Sequence, residues 1–497
     1  MKIQQLLDHH GIASNPFSDE DAQTDLVFKG YCITHTYHPA WDKIHGNPSE
    51  PATAIVFGEK GSGKTALRLQ LVRHLADFNA DHPEARALVV EYADFNPFLD
   101  RFRERFRGRR RKIDRVLGEW KLWDHMDAVL SLGVTQLVDR ILQSRQATHP
   151  AACDAKPLPV KSLDRSQARD LLLLAACYDA STAGTSDDRW NRLRRKLGFS
   201  VWRTWWDLAL PVLAVAVLVG LMGGLHHWEW LKTPWPYVAF GVSLLPRLWR
   251  CLKACRLAWG VTRNTRVLNQ NRRGLKRIFM RFTDRQLAAQ PLPRFQRSDD
   301  RYELLAKLQN VLEALGFTGI IVLVDRVDEP YLINGSSELM RALVWPMLDN
   351  KLLKHPGLGF KVLLPSELID FIDRETADFH QRARLDKQNL VRSLQWTGES
   401  LLDLANARLE ACAAEGRKPL LRDLIDEKVS DQRLLDVMRS LRVPRHLFKF
   451  LYQAIVAHTN AHTDAEPVWR VTPEVFESTF ALYQREQNAF ERGRGTV

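Results

Sequence analysis

The stretch ATAIVFGEKGSGKTALRLQLV, residues 52–72, decides the fold of this chain. Residues 52–57 are an apolar run of strand length, and the glycine-rich residues 58–63 end it abruptly. Apolar residues at helical spacing follow: Leu67, Leu71, Val72 and Leu75. The sequence therefore predicts a strand, a tight loop and a helix in direct succession.

The loop, Gly58-Glu-Lys-Gly-Ser-Gly-Lys-Thr65, is a complete G-x-x-x-x-G-K-[ST] motif. Its glycines let backbone N–H groups turn inward around a phosphate, and the following helix adds its positive end. Lys64 can reach the β and γ phosphates of a nucleotide, and Thr65 can offer its hydroxyl to Mg²⁺. The residues predicted to bind the nucleotide are Gly58, Gly61, Ser62, Gly63, Lys64 and Thr65. The alternative, a glycine-rich turn without function, leaves Lys64 unexplained.

A second apolar run, residues 319–324, ends at Asp325 and is followed by Asp328 and Glu329. Mg²⁺ prefers oxygen ligands, so Asp325 is predicted to hold this ion together with Thr65. Asp328 or Glu329 is predicted to orient the attacking water for phosphoryl transfer. An acidic surface loop is the alternative interpretation. ATP is the expected nucleotide, because the chain contains no N-K-x-D motif that would read guanine.

Two more apolar runs, Ala87–Tyr92 and Lys361–Leu364, complete the predicted strands. Apolar strands separated by helical stretches indicate an α/β fold, a parallel sheet with helices on both faces. The strands at 87–92 and 319–324 are too far apart in the chain for an ordinary crossover, so the sequence predicts an insertion between them.

The predicted insertion centres on Leu208–Leu225, eighteen residues without a charge. At 1.5 Å per residue this run reaches about 27 Å, close to the thickness of a bilayer core. Trp235–Leu248 is a shorter apolar candidate, and basic residues flank the pair on both outer sides. These features predict a transmembrane hairpin with both large parts of the chain cytoplasmic and residues 226–234 outside. A buried core helix is the alternative.

The composition favours polyanionic partners. The 497 residues carry a formal net charge of +12, with a dense basic run at Arg101–Lys112. Anionic membrane lipid is the expected partner, nucleic acid is a weaker candidate, and a solvated surface is the alternative for the run. Six scattered cysteines without a Cys-x-x-Cys pattern indicate a reducing compartment.

The chain resembles the additional-strand P-loop ATPases, nearest the KAP and STAND groups on the border of the AAA+ class. The resemblance lies in the pairing of the glycine-rich motif with the acidic motif and in the hairpin inserted between them. Arg326 and Asp328-Glu329 depart from the KAP pattern D-D-x-D-R and are closer to the D-G-x-D-E of the NACHT branch. The resemblance implies a phosphate-sensing polar residue at Ser366. It implies arginine fingers at Arg382 and Arg384, acting on a neighbouring subunit of a homo-oligomer, and a second sensor at Arg445 in a helical lid.

Five parts are expected: an N-terminal segment (1–50), two halves of a nucleotide-binding domain (51–200 and 261–395), the hairpin (201–260) and an all-α lid (396–497). The predicted function is that of a multi-pass ATPase of the bacterial inner membrane, a nucleotide-dependent switch for signalling, assembly or defence with an unknown effector protein. The alternatives are a DNA-associated AAA+ type ATPase and a nucleotide-binding scaffold without turnover.

Overall fold

Five strands form the sheet in a computed structural model, which describes residues 1–142, 158–200, 234–288 and 290–494, with residues 209, 212–213, 215–217 and 220. They are β1 (Ala54–Gly58), β2 (Arg86–Tyr92), β3 (Phe317–Val324), β4 (Leu358–Pro365) and β5 (Asn389–Val391). Their order is β2-β3-β4-β1-β5. The four predicted strands are present, and β5 is an addition that the sequence did not predict.

Helices account for most of the remaining regular structure. In chain order they are α1 (Ile3–His9), α2 (Ile33–His35), α3 (Trp41–His45), α4 (Lys64–Asp81), α5 (Asn96–Arg103), α6 (Ile113–Gly118), α7 (Leu122–Leu142), α8 (Arg165–Tyr178), α9 (Ser186–Lys196), α10 (Trp235–Asn264), α11 (Arg272–Phe279), α12 (Asp284–Leu287), α13 (Asp299–Ala314), α14 (Ser337–Val344), α15 (Asn350–Leu353), α16 (Ile369–Asp373), α17 (Ala377–Ala383), α18 (Gly398–Ala411), α19 (Asp431–Leu441), α20 (Pro444–Ala461) and α21 (Pro473–Arg494). Short 3-10 or π turns lie at Phe28–Cys32, Gly108–Arg111, Val160–Ser162, Trp345–Met347, Ser366–Leu368, Leu385–Lys387 and Leu421–Leu424.

The chain divides into two compact units. The first contains Met1–Asp81, Leu323–Asp328 and Leu353–Val497, and the second contains His82–Val322 and Glu329–Leu352. In the first unit β1 runs parallel to both β4 and β5. In the register of β1 and β4, Gly58 is paired with Pro365. Because parallel strands end at the same edge of a sheet, this register places the residues after β1 beside the residues after β4.

The N-terminal segment belongs to the same hydrophobic core as the C-terminal helices. Leu6, Leu7 and Phe17 are buried in one cluster with residues of α18 to α21, among them Phe450 and Phe476. A backbone bridge between Ile12 and Ala413 adds to this packing. The first residues of the chain are therefore part of the helical body of the first unit.

Buried ion pairs connect the helices of the second unit. Asp127 on α7 accepts two hydrogen bonds from Arg301 on α13, each 3.0 Å long, and a third from the Tyr178 hydroxyl at 2.8 Å. Both members of the Asp127–Arg301 pair have fully buried side chains. The Asp127 carboxylate therefore connects α7 to both α8 and α13.

The predicted transmembrane hairpin is wrong, and with it the multi-pass location in the inner membrane. Within the described residues, every helix is too short or too polar to cross a bilayer. The second predicted span, Trp235–Leu248, is the first half of α10, whose next turns carry Arg250, Lys253 and Arg256. Each cation at a bilayer centre costs about 2.5–3.5 kcal/mol. The same turns bury Leu257 and Val261 in the protein interior. Most of the first predicted span, Leu208–Leu225, lies outside the described residues.

Candidate functional site

The loop between β1 and α4 has a conformation that requires glycine. Gly61 and Gly63 have φ values of +92° and +95°, in the region that L side chains rarely adopt. A Cβ atom on Gly61 would also lie 2.6 Å from the Cβ of Arg445. The two glycines therefore set the turn of the chain, and Gly61 also permits the close approach of α20.

Several polar groups of the loop have no partner in the part of the chain that the structure describes. Among the described residues, the backbone N–H groups of Lys60, Gly61 and Gly63 have no hydrogen-bond acceptor. The Ser62 hydroxyl is buried and likewise lacks a partner in that part of the chain. Buried or clustered donors without acceptors are uncommon in folded proteins, and here they converge at a helix N-terminus. This donor set fits a bound phosphate.

Lys64 lies folded back over the loop. Its Nζ donates to the carbonyl oxygens of Gly58 at 2.7 Å and Glu59 at 2.9 Å. Burial lowers the pKa of Lys64, while the nearby carboxylates of Asp328, Asp325 and Glu367 act in the opposite direction and favour the charged form. The ammonium group is thus kept inside the loop by carbonyl oxygens that a phosphate oxygen can replace.

Asp325 and Thr65, the predicted metal pair, lie next to each other. The Thr65 hydroxyl donates to Oδ2 of Asp325 over a long 3.5 Å, although 260 residues separate them in the chain. Nε of Arg68 donates to the same oxygen at 3.2 Å. Burial raises the pKa of Asp325, and the Arg68 guanidinium, the Arg326 N–H and Lys64 counteract the rise.

Arg68 is a site residue that sequence reasoning missed. It lies one turn after Lys64 on α4, and its side chain and that of Asp325 are 8% and 2% exposed. A buried aspartate needs a compensating charge, and Arg68 supplies it. The four-residue spacing from Lys64 was the available signal, because it places both side chains on one face of the helix.

A metal ion at this site would need the nucleotide as a ligand. Among the described residues, no group of three or more His, Cys, Asp or Glu side chains could hold an ion. One carboxylate and one hydroxyl are the donor set expected for Mg²⁺, which keeps several waters and takes phosphate oxygens as further ligands. Thr65 and Asp325 therefore fit Mg²⁺ in company with a phosphate.

The acidic residues after Asp325 differ in their surroundings. Asp328 is partly buried, and its carboxylate raises the pKa of Lys64 and so favours the charged ammonium. Glu329, by contrast, is exposed. Between Asp325 and Asp328 the backbone of Arg326 has a φ of +61°, which is unusual for a residue other than glycine. Such strained positions concentrate at functional sites, where the surrounding structure enforces them.

A cavity of about 770 Å³ adjoins the loop within the first unit. Ser366, directly after β4, lies on its wall, as the register of β1 and β4 implies. Charged and polar side chains surround the cavity: Glu20, Glu59, Lys60, Ser366, Glu367, Asp370, Arg445, His446, Lys449, Glu486 and Gln487. Its volume is within the range of small-molecule sites, which is about 300–1,000 Å³.

Arg445 contacts the loop directly. Its backbone N–H donates to the carbonyl oxygen of Gly61 at 3.3 Å, and its charge is close enough to Lys64 to lower the pKa of that lysine. Trp396 fixes the loop from another side, because its Nε1 donates to the Ser62 carbonyl oxygen at 3.0 Å. Trp396 was also missed, since nothing in its sequence neighbourhood points to the loop.

Arg382 and Arg384 lie apart from these residues. Arg382 is exposed above the ring of Phe379, and Arg384 pairs with Asp386 at 3.3 Å. Neither arginine lines the 770 Å³ cavity. Within one chain they are surface residues, and a role toward a neighbouring subunit stays a prediction.

The first unit thus brings together Gly58, Gly61, Ser62, Gly63, Lys64, Thr65, Asp325, Asp328, Ser366 and Arg445. Chemically, this arrangement offers backbone donors and an ammonium group for phosphates, and a carboxylate–hydroxyl pair for a hard cation.

Comparison of the chain with protein-family models, curated proteins and solved structures finds no match.

Proposed function

We propose that the chain binds ATP with Mg²⁺ at the loop between β1 and α4 and hydrolyses it. The proposal depends above all on one observation, the meeting of Thr65 and Asp325 beside Lys64. Two segments separated by most of the chain converge with the residue types that a magnesium nucleotide requires. A glycine-rich turn without function would not need a buried carboxylate opposite its first helical turn.

Each residue then has a defined task. The free N–H groups of the loop and the Lys64 ammonium hold the phosphates, while Thr65 and Asp325 orient the metal, which neutralises developing charge when bound. Asp328, the partly buried carboxylate near Lys64, accepts a hydrogen bond from the attacking water and orients it. Ser366 and Arg445 face the cavity where the end of the phosphate chain would lie.

Strand order supports a relationship with the additional-strand ATPases. β4 lies between β1, which leads into the loop, and β3, which leads into Asp325. We propose that the chain belongs near the KAP and STAND groups and works as a nucleotide-dependent switch, in which the nucleotide alters the contact of Arg445 with the loop.

Hydrolysis is tested by phosphate release from purified full-length protein. We expect Asp328→Asn to lower kcat by about 100-fold or more while ATP affinity changes only a few-fold, because a general base contributes about 10²–10⁴-fold. Asp370→Asn is the matched control, since Asp370 lines the cavity but is exposed, and its rate should stay within about three-fold of wild type.

Glu329→Gln separates the two acidic candidates. A large loss of kcat in this variant, with Asp328→Asn near the wild-type rate, would assign the water-orienting role to Glu329. Equal rates in the wild type and in both variants would remove the enzymatic claim and leave a nucleotide-binding scaffold.

A further inference from the structure

Two cations on α20 face the cavity beside the loop. Arg445 and Lys449 are one helical turn apart, and both line the 770 Å³ cavity. Arg445 also touches the loop through its backbone N–H bond to Gly61. A cation pair at this place can bind an anionic group that extends from the loop into the cavity.

A carboxylate of the same chain already lies between these cations. Oε2 of Glu20 is 3.6 Å from Nε of Arg445 and 3.7 Å from Nζ of Lys449. The segment that carries Glu20 is fixed on both sides by one buried arginine. Arg408 donates to the Pro16 carbonyl oxygen at 2.6 Å and pairs with Asp25 at 2.5 Å. Glu20 is thus presented to the cavity by an anchored segment of irregular backbone.

Glu20 satisfies the arginine only in part. A separation of 3.6 Å is too long for a hydrogen bond, and among the described residues Nε of Arg445 has no hydrogen-bond partner. Phosphate oxygens form short, charge-assisted bonds with guanidinium groups, which are stronger than a loose ion pair. The side chain of Glu20 is 36% exposed, so water can replace its contacts at little cost.

We propose that Glu20 determines how strongly the site distinguishes nucleoside triphosphates from diphosphates. This inference rests on the proposed function, the binding of a magnesium nucleotide at the loop. The Glu20 carboxylate takes the place beside Arg445 and Lys449 that the terminal phosphate needs. A triphosphate must displace this carboxylate, whereas a diphosphate ends before the cation pair and leaves the Glu20 contacts intact. Glu20 therefore weakens triphosphate binding selectively.

The test is equilibrium binding of adenylyl imidodiphosphate, a triphosphate analogue that resists hydrolysis, and of ADP, each with Mg²⁺, to the full chain. We expect Glu20→Gln to bind the triphosphate analogue about two- to five-fold more tightly, the range that loss of an exposed ion pair corresponds to. Its affinity for ADP should stay within about 1.5-fold of wild type. In a background that carries both Arg445→Gln and Lys449→Gln, Glu20→Gln should no longer change the affinity for the analogue.

Asp19→Asn is the matched control, because it removes the same charge from the neighbouring exposed residue, which does not line the cavity. An equal gain in Asp19→Asn, or an equal gain for both nucleotides in Glu20→Gln, would overturn the inference and leave the proposed function intact. Absence of saturable binding of either nucleotide to the wild type would overturn both. Preserved far-UV circular dichroism in each variant shows that folding is not the cause of a change.

Discussion

Lys64→Ala is expected to weaken ATP binding about 100-fold or more in the presence of Mg²⁺. The Lys64 ammonium now donates to two carbonyl oxygens of the loop, and those bonds can be exchanged for charge-assisted bonds to phosphate. Hydrogen bonds to a charged group contribute about 1.5–3 kcal/mol each, so loss of the ammonium removes about two orders of magnitude in affinity. Isothermal titration calorimetry with the full chain measures the change.

Lys60→Ala is the matched control for this prediction. Lys60 belongs to the same loop and lines the cavity, but its side chain is exposed. Its removal deletes the same charge without emptying the interior of the loop, and we expect a change in affinity of no more than about three-fold. Similar losses in both variants would indicate a general electrostatic effect and contradict the specific role of Lys64.

Arg301→Met is expected to destabilise the second unit by about 3–5 kcal/mol. The substitution leaves the Asp127 carboxyl group buried without its cationic partner, and breaking a fully buried pair in this way has costs of that size. The Tyr178 hydroxyl remains as a hydrogen-bond donor to Asp127, but it carries no compensating charge. Denaturant-induced unfolding, followed by circular dichroism, measures the loss.

Two further variants define the cause of this effect. Lys253→Met removes a lysine of the same unit that pairs with Asp284 at 2.7 Å, and because the two side chains are 46% and 51% exposed, we expect a loss below about 1 kcal/mol. Arg301→Met combined with Asp127→Leu should recover most of the stability, because no unpaired charge stays buried. Equal losses in the Lys253 and Arg301 variants would contradict the account of this buried pair.

The parts of the site that the sequence predicted are those encoded in continuous stretches. The loop after β1 and the aspartate after β3 each follow an apolar strand, and local patterning is enough to recognise both. Glu20 and Trp396 could not be found in this way, and for Arg68 the local signal was limited to its four-residue spacing from Lys64. Their roles depend on the tertiary fold, which brings Arg68 to Asp325, Glu20 to Arg445 and Trp396 to Ser62.

The prediction of the second span failed because hydropathy was judged over too short a segment. Trp235–Leu248 is apolar by itself, but the helix continues to Asn264 through several cations and ends against the interior of the second unit. Long-range packing of the N-terminal residues could not be predicted from local sequence either. Leu6, Leu7 and Phe17 join the core of the C-terminal helices, a contact between opposite ends of the chain that no local pattern announces.

The most direct measurement of the central claim compares ATP binding with Mg²⁺ and with EDTA, in the wild type and in Asp325→Asn. If the loop and Asp325 hold one magnesium nucleotide, the wild type should bind ATP about ten-fold or more tightly with Mg²⁺, since residues that orient a metal typically account for 10–100-fold in affinity. In Asp325→Asn, which keeps the shape of the side chain but removes its charge, this difference should disappear. An unchanged dependence on Mg²⁺ in the variant would contradict the claim that Asp325 and the loop share one ion.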